Sequence, residues 1–311
     1  MADPIQDKIR TFSNFIYPHP IYNQALETVK KAIFLTESSE QPMSALLTGV
    51  TGTGKSTLIK TIVANYPKSQ NIETEDAVIR TVPAYHCTVP ADATIKALAT
   101  EMLKYLDSSD LNGDAASLTK RLSRLLKTCK TKVIFLDEFQ HLLSKKARNG
   151  GDGVTDWVKT LMDATGVPVI LSGMPECEAI IDAHPQLAGR YSFRAHLKMI
   201  PYDINNPLYL SKVIEGFTNG LKNHVGIEKM PILTNDDYLT AFHVATGGNM
   251  RSLRHLFTGA LHSALSDNRN YLTEDDFISV CEDQQLNYRL TSNNPFLNDY
   301  QKNREIIAGN K

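Results

Sequence analysis

The run "GVTGTGKST" (49–57) matches G-x-x-x-x-G-K-[ST] at Gly49, Gly54, Lys55 and Ser56. Gly49, Gly52 and Gly54, with Val50, Thr51 and Thr53 between them, let the backbone curl until successive N–H groups face one phosphate. A helix starting at Lys55, Ser56 and Thr57 adds its positive N-terminal end. Lys55 would reach the β- and γ-phosphates of a nucleotide, and the Ser56 hydroxyl is placed for Mg²⁺. A second acidic signal, "VIFLDEFQHL", lies about eighty residues on. Asp137 could hold Mg²⁺ directly or through its water, and Glu138 could orient and deprotonate an attacking water. Ser172 ends a third apolar run, "VILSG". It could bond the γ-phosphate or the lytic water, or it could simply be a small polar residue at a strand end.

These groups meet only if strands deliver them to one edge. "MSALLTGV" (43–50), "AVIRTVPAY" (77–85), "KVIFLDEF" (132–139), "VPVILSGM" (167–174) and "AHLKMIPY" (195–202) read as strands, with helical periodicity between them. The alternation predicts an α/β fold, a parallel five-stranded sheet flanked by helices, with ligands at the carboxyl ends of its strands. After about residue 207 the pattern turns helical, with breaks at "NHVGIEKMP" and "ATGGN". The expected division is an N-terminal segment at 1–25, an α/β core at 26–203, a small all-helical lid at 204–285 and a polar tail at 286–311. Much of that Asn-rich tail is expected to be extended.

Composition narrows the class. Of the 311 residues 42% are hydrophobic, enough for a real core, and the net charge is −1, which disfavours a large basic sequence-reading surface. No apolar run reaches bilayer length, and the N-terminus has no apolar core of a secretory signal. Four scattered cysteines form no metal spacing and suit a reducing, cytoplasmic setting.

The stretch "QLAGRYSFRAHL" (186–197) holds Arg190 and Arg194 without an acidic residue. Either both are solvated or paired with acids elsewhere, or they point at a charge outside the chain.

Together the P-loop, "LDE", "LSGMPE", the two arginines, "FRAHL" and "GGNMRSL" resemble an AAA+ ATPase, and more narrowly the TniB/TnsC regulators of DNA transposition. The resemblance spans about residues 10–285. It implies that the Ser172 strand lies between the P-loop and "LDE" strands, giving Ser172 a sensor role. It implies that Arg251 in "GGNMR" reaches the γ-phosphate from the lid, with Arg254 a surface or lid residue. It places Tyr17, Pro18 and Ile21 near the adenine. It makes Arg190 or Arg194 an arginine that enters a neighbouring subunit's ATP site, a contact that can be worth about 10³–10⁵ in rate.

The function so implied is ATP hydrolysis, with Mg²⁺, by a homo-oligomer, ring or helical filament, on duplex DNA, linking target-selector proteins to a transposase. Candidate DNA contacts are Lys96, Lys104, Lys120, Arg121, Arg124, Lys145, Lys146 and Arg148. An oligomer repeats such contacts, so a near-neutral chain suffices. Two alternatives stand beside it: an ATP-gated scaffold with little turnover, and an initiator- or loader-type ATPase. Against the latter, no winged-helix domain is expected after residue 285.

Overall fold

The computed structural model describes residues 4–38, 42–73, 78–91, 93–143 and 151–309. In chain order the helices are α1 (Pro4–Asn14), α2 (Pro20–Glu37), α3 (Lys55–Val63), α4 (Ile95–Tyr105), α5 (Ala115–Thr128), α6 (Gly151–Thr165), α7 (Glu176–Asp182), α8 (Pro185–Ala188), α9 (Leu208–Gly220), α10 (Asp236–Thr246), α11 (Met250–Ser266), α12 (Glu274–Asp283) and α13 (Tyr300–Gly309). The strands are β1 (Ala45–Thr48), β2 (Gln70–Glu73), β3 (Val78–Thr81), β4 (Ala84–Thr88), β5 (Val133–Asp137), β6 (Val169–Gly173) and β7 (Phe193–His196).

The chain divides into two units, residues 21–197 and residues 1–20 with 198–311. In the first, a five-stranded sheet runs β4-β5-β6-β1-β7, and every pairing in it is parallel. The three central strands are buried along their whole length, as a sheet covered on both faces requires. Leu47, Phe135 and Ile170 pack with residues of α2 and α3 on one face. Leu46, Leu136 and Leu171 pack with α4, α5 and α6 on the other. The order confirms that the Ser172 strand lies between the P-loop strand and the "LDE" strand.

Two strand assignments are corrected. The run 77–85 is not one strand. Pro83 lacks an N–H and ends the ladder. Before it, β3 pairs antiparallel with β2 in a separate hairpin, and after it β4 forms the sheet edge beside β5. The last strand is 193–196 rather than 195–202. Its partner β1 ends at Thr48, where the chain turns into the P-loop, so beyond Leu197 there is no ladder left to join.

The second unit is helical, and it is larger than residues 204–285. Its aromatic centre joins Phe242 to Phe257, Phe277 and Phe296 with ring centroids 5.2–5.4 Å apart. Phe12 of α1 lies against Phe217 of α9, so the N-terminal helix belongs to this unit. Arg254 is a half-buried residue of the helical unit. Its guanidinium donates to the carbonyls of Phe12 (2.8 Å), Ser13 (3.3 Å) and Phe15 (2.6 Å), capping the end of α1. It also lies over the Phe12 and Phe217 rings. The tail is not extended either. Phe296 is buried, α13 follows it, and the fully buried Asn303 donates to Pro295 O at 2.8 Å. Among the described residues no helix is long and apolar enough to cross a membrane.

Candidate functional site

The P-loop joins β1 to α3. Gly54 stands at the helix N-cap with φ 104°, a left-handed conformation that favours glycine. At Gly49 a Cβ would meet the Leu197 carbonyl and, at 2.7 Å, the Thr53 hydroxyl. Lys55 is buried, with its ammonium donating to Gly49 O (2.7 Å) and Val50 O (3.3 Å). The amine is therefore held inside the loop it would share with a phosphate.

Asp137 ends β5 and is buried. One carboxylate oxygen accepts from the Ser56 hydroxyl at 2.6 Å. The other accepts from the Ser172 hydroxyl at 2.7 Å and the Glu138 N–H at 3.0 Å. Parallel pairing of β5, β6 and β1 brings these carboxyl ends together. The structure thus unites Lys55, Ser56, Asp137, Glu138 and Ser172. Ser172 meets Asp137 itself, a partner that the sequence did not single out.

The donor set suits a magnesium–nucleotide. A glycine-rich helix N-terminus and a buried ammonium answer phosphate charge, and an adjacent hydroxyl–carboxylate pair is the hard oxygen set that Mg²⁺ takes. No cluster of three or more His, Cys, Asp or Glu side chains able to hold a metal occurs among the described residues.

Glu138 has φ 57°, left-handed for a non-glycine residue, immediately beyond the strand. Its carboxylate accepts from Gln140 Nε2. Sequence reasoning missed Gln140, because its role depends on tertiary neighbours rather than a motif. It also missed His86 on β4, whose imidazole burial pushes down while Asp137 pulls it up. The His86 Nε2 is buried without a hydrogen-bond partner.

Both arginines of the 186–197 stretch have acidic partners elsewhere in the chain. Arg190 pairs with Asp163 of α6 at 2.7 Å. Arg194 pairs with Asp182 of α7 at 2.6 Å, with Glu178 farther off at 3.9 Å. One terminal nitrogen on each, Nη1, is buried with no hydrogen bond.

Tyr17 belongs with the helical unit, where its ring lies against Gly216, and Pro18 follows it. Arg251 is exposed at the start of α11, and its N–H is capped by Asn249.

The basic candidates separate. Lys104 bonds Glu101 at 2.6 Å, and Arg121 pairs with Asp110 at 2.5 Å and donates to two nearby carbonyls. Lys96 is exposed near Asp114. Lys120, Arg124 and Lys127 form an exposed edge along α5, with no ion pair among the described residues. Lys145, Lys146 and Arg148, and the loop that carries them, lie outside the described residues.

The sheet order, the P-loop and the acidic strand end define the AAA+ fold. The model of the family described as Bacterial TniB protein matches residues 11–199, and the chain belongs to that family. No curated protein matches it.

Similar solved structures include the Aeropyrum pernix ORC2 protein in ADPNP–ADP complexes, at 16% identity and TM-score 0.59, covering 91% of this chain and 74% of that one. Cdc6p from Pyrobaculum aerophilum is 16% identical with TM-score 0.62, over 88% and 70%. Domain III of the Thermotoga maritima replication initiation protein DnaA is 14% identical with TM-score 0.52, over 88% and 95%. At these identities the likeness is one of fold.

Proposed function

We propose that this chain is an ATP-hydrolysing regulator of DNA transposition that assembles on duplex DNA and links target selection to transposase recruitment. One observation carries the hydrolytic part: Asp137 accepts from both the P-loop Ser56 and the β6 Ser172, with Glu138 the next residue. The P-loop residues 49–57 would hold ATP, and Ser56 with Asp137 would hold Mg²⁺. The bound nucleotide and ion supply the phosphoanhydride and the charge that polarises it. Glu138 accepts the proton of the attacking water, Lys55 balances phosphate charge, and Ser172 keeps Asp137 in place. Arg251 reads the γ-phosphate, and Tyr17 and Pro18 serve the adenine, as the family resemblance implies.

Assembly gives the two arginines their second role. In this reading Arg190 or Arg194 exchanges its partner in the same chain for a phosphate bound to a neighbour. DNA meets the basic edge at Lys96 and Lys120, with Arg124 beside them, through backbone phosphates. Membership of the TniB family supports the transposition setting. The likeness in fold to ORC2, Cdc6p and DnaA favours a second reading, an initiator- or loader-type ATPase acting on DNA.

The test measures ATP turnover and particle size with and without duplex DNA, for the native chain and for Glu138→Gln. We expect DNA- and ATP-dependent assembly by both, with turnover by Glu138→Gln reduced to a slow residual rate. A monomer under all conditions would overturn the transposition reading. Assembly with no native turnover would make the protein an ATP-gated scaffold. Recruitment of the purified transposase by the DNA-bound assembly separates a regulator from a loader.

A further inference from the structure

Gln140 belongs to neither the P-loop nor the acidic pair. It lies in the short 3₁₀ segment Phe139–Leu143 that follows β5. That segment is anchored on both sides, by the fully buried Phe139 ring and by a 2.8 Å bond between His141 Nδ1 and Val89 O. Between these anchors the half-buried Gln140 side chain makes two bonds in opposite directions. Its Nε2 donates to Glu138 Oε2. Its Oε1 accepts from the Met174 N–H at 3.2 Å, just past the end of β6.

The amide has one satisfactory orientation. Turned over, it would set an oxygen against a carboxylate and an NH₂ against an N–H. Its fit is also close: a Cβ added at Gly173 would lie 2.8 Å from Gln140 Oε1 and 2.7 Å from Cys177 Sγ. Among the described residues no other hydrogen bond holds the Glu138 carboxylate. The Glu138 backbone is fixed through its N–H to Asp137, but among the described residues its side chain has no polar anchor besides Gln140.

We propose that Gln140 is a positioning residue for hydrolysis, setting the direction of the Glu138 carboxylate and tying it to the end of β6. The inference rests on the hydrolytic reading above. The tie matters because β6 also carries Ser172, which holds Asp137. The Met174 thioether in turn accepts from Thr51 of the P-loop at 3.9 Å. One amide thus joins the water-activating carboxylate to the strand end beside the phosphate cradle. A base misplaced by about 1 Å loses on the order of 10²-fold in rate.

The test compares the native chain, Gln140→Met, Gly173→Ala, Glu138→Gln and the pairwise combinations. Single-turnover phosphate release from γ-labelled ATP gives the rate, and binding of a fluorescent methylanthraniloyl-ATP gives affinity. Gln140→Met is expected to lower the rate by about 10–100-fold while KM for ATP and probe affinity stay within about twofold, the signature of an interaction used only in the transition state. Gly173→Ala, which crowds the same amide together with Cys177 Sγ while leaving residue 140 unsubstituted, is expected to act in the same direction. The double variant is expected to lose no more than the worse single one, and Gln140→Met in the Glu138→Gln background is expected to lose nothing further.

An unchanged rate in Gln140→Met would overturn the proposal. So would an equal fold-loss in the Glu138→Gln background, or a rate loss matched by the same loss of probe affinity. If Gln140→Met does not fold, Gly173→Ala with its Glu138→Gln combination decides by the same criteria. A native chain that binds the probe yet releases no phosphate, with or without duplex DNA, removes the hydrolytic reading and this inference together. Native turnover beside an unaffected Gln140→Met removes this inference alone.

Discussion

Asp137 shows how a single buried carboxylate is held in place. Hydroxyls from two different elements and one backbone N–H occupy its oxygens. Removing Ser172 leaves part of that capacity unmet in a site that water enters poorly. Ser172→Ala is therefore expected to cost about 1.5–3 kcal/mol of stability, read by urea denaturation, and also to lower turnover. This corner was largely legible in the sequence, because Lys55, Ser56 and Asp137 stand in local motifs whose chemistry depends on their immediate neighbours. Gln140 was not, since its meaning comes from Met174, far along the chain. The same reason hid the partners of Arg190 and Arg194. Asp163 and Asp182 sit on other helices, and nothing in "QLAGRYSFRAHL" points to them.

At the level of elements, the strands that carry the site were legible as apolar runs ended by glycine or acid. Pro83 was in plain view, but the hairpin it creates needs a pairing partner that periodicity does not name. The last segment misled for a different reason. Its asparagines look like the composition of an unfolded tail, yet Asn294 caps the Pro295–Leu297 turn and Asn298 and Asn303 bond each other at 2.9 Å. Phe296 among them completes the aromatic centre. Phe296→Ala is expected to destabilise the helical unit by about 3–5 kcal/mol through the cavity it leaves, measured as a fall in denaturation midpoint. Arg254→Met keeps the bulk over Phe12 but removes three hydrogen bonds to the end of α1. A loss of about 2 kcal/mol, with faster hydrogen exchange in α1 than elsewhere in the unit, is the expected result.

At the scale of the whole molecule, two histidines of the helical unit couple stability to pH. His19, bonded through Nδ1 to the Tyr209 hydroxyl at 3.1 Å, and His243, stacked on Tyr202 at 4.9 Å, are both pushed down to about 4 by burial. Between that value and the ordinary ~6.5, the unfolded chain binds more protons than the folded one, so stability rises with pH. It is complete above about 6.5 and is lost as pH falls toward 4. Burial alone pushes the Asp276 carboxyl up, but hydrogen bonds from Arg269, Ser263 and Thr273 outweigh it and bring the group to about 2. Its contribution is lost in a second window, below about 4. Melting temperatures across pH 4–7.5 are expected to fall on acidification, less steeply in His243→Phe, which keeps a ring against Tyr202. Assembly is tested by mixing subunits: Arg190→Ala or Arg194→Ala chains, inactive alone, are expected to regain turnover with Lys55→Ala chains, and no recovery in any mixture would remove the role across the interface. The division of the chain also has a consequence for how it is made. Residues 1–20 belong with residues 198–311, so the α/β unit is an insertion within the helical one. During synthesis at about 5–20 residues per second, α1 leaves the ribosome ~10–35 s before the chain reaches the start of its own unit's second part. Until Phe217, Arg254 and Phe257 emerge, the Phe12 face has nothing to fold onto, while residues 21–197 can already close around their sheet. The nascent chain is thus expected to carry a finished α/β unit behind an amphipathic α1 whose Phe12 face is still unsheltered, a surface a chaperone could cover.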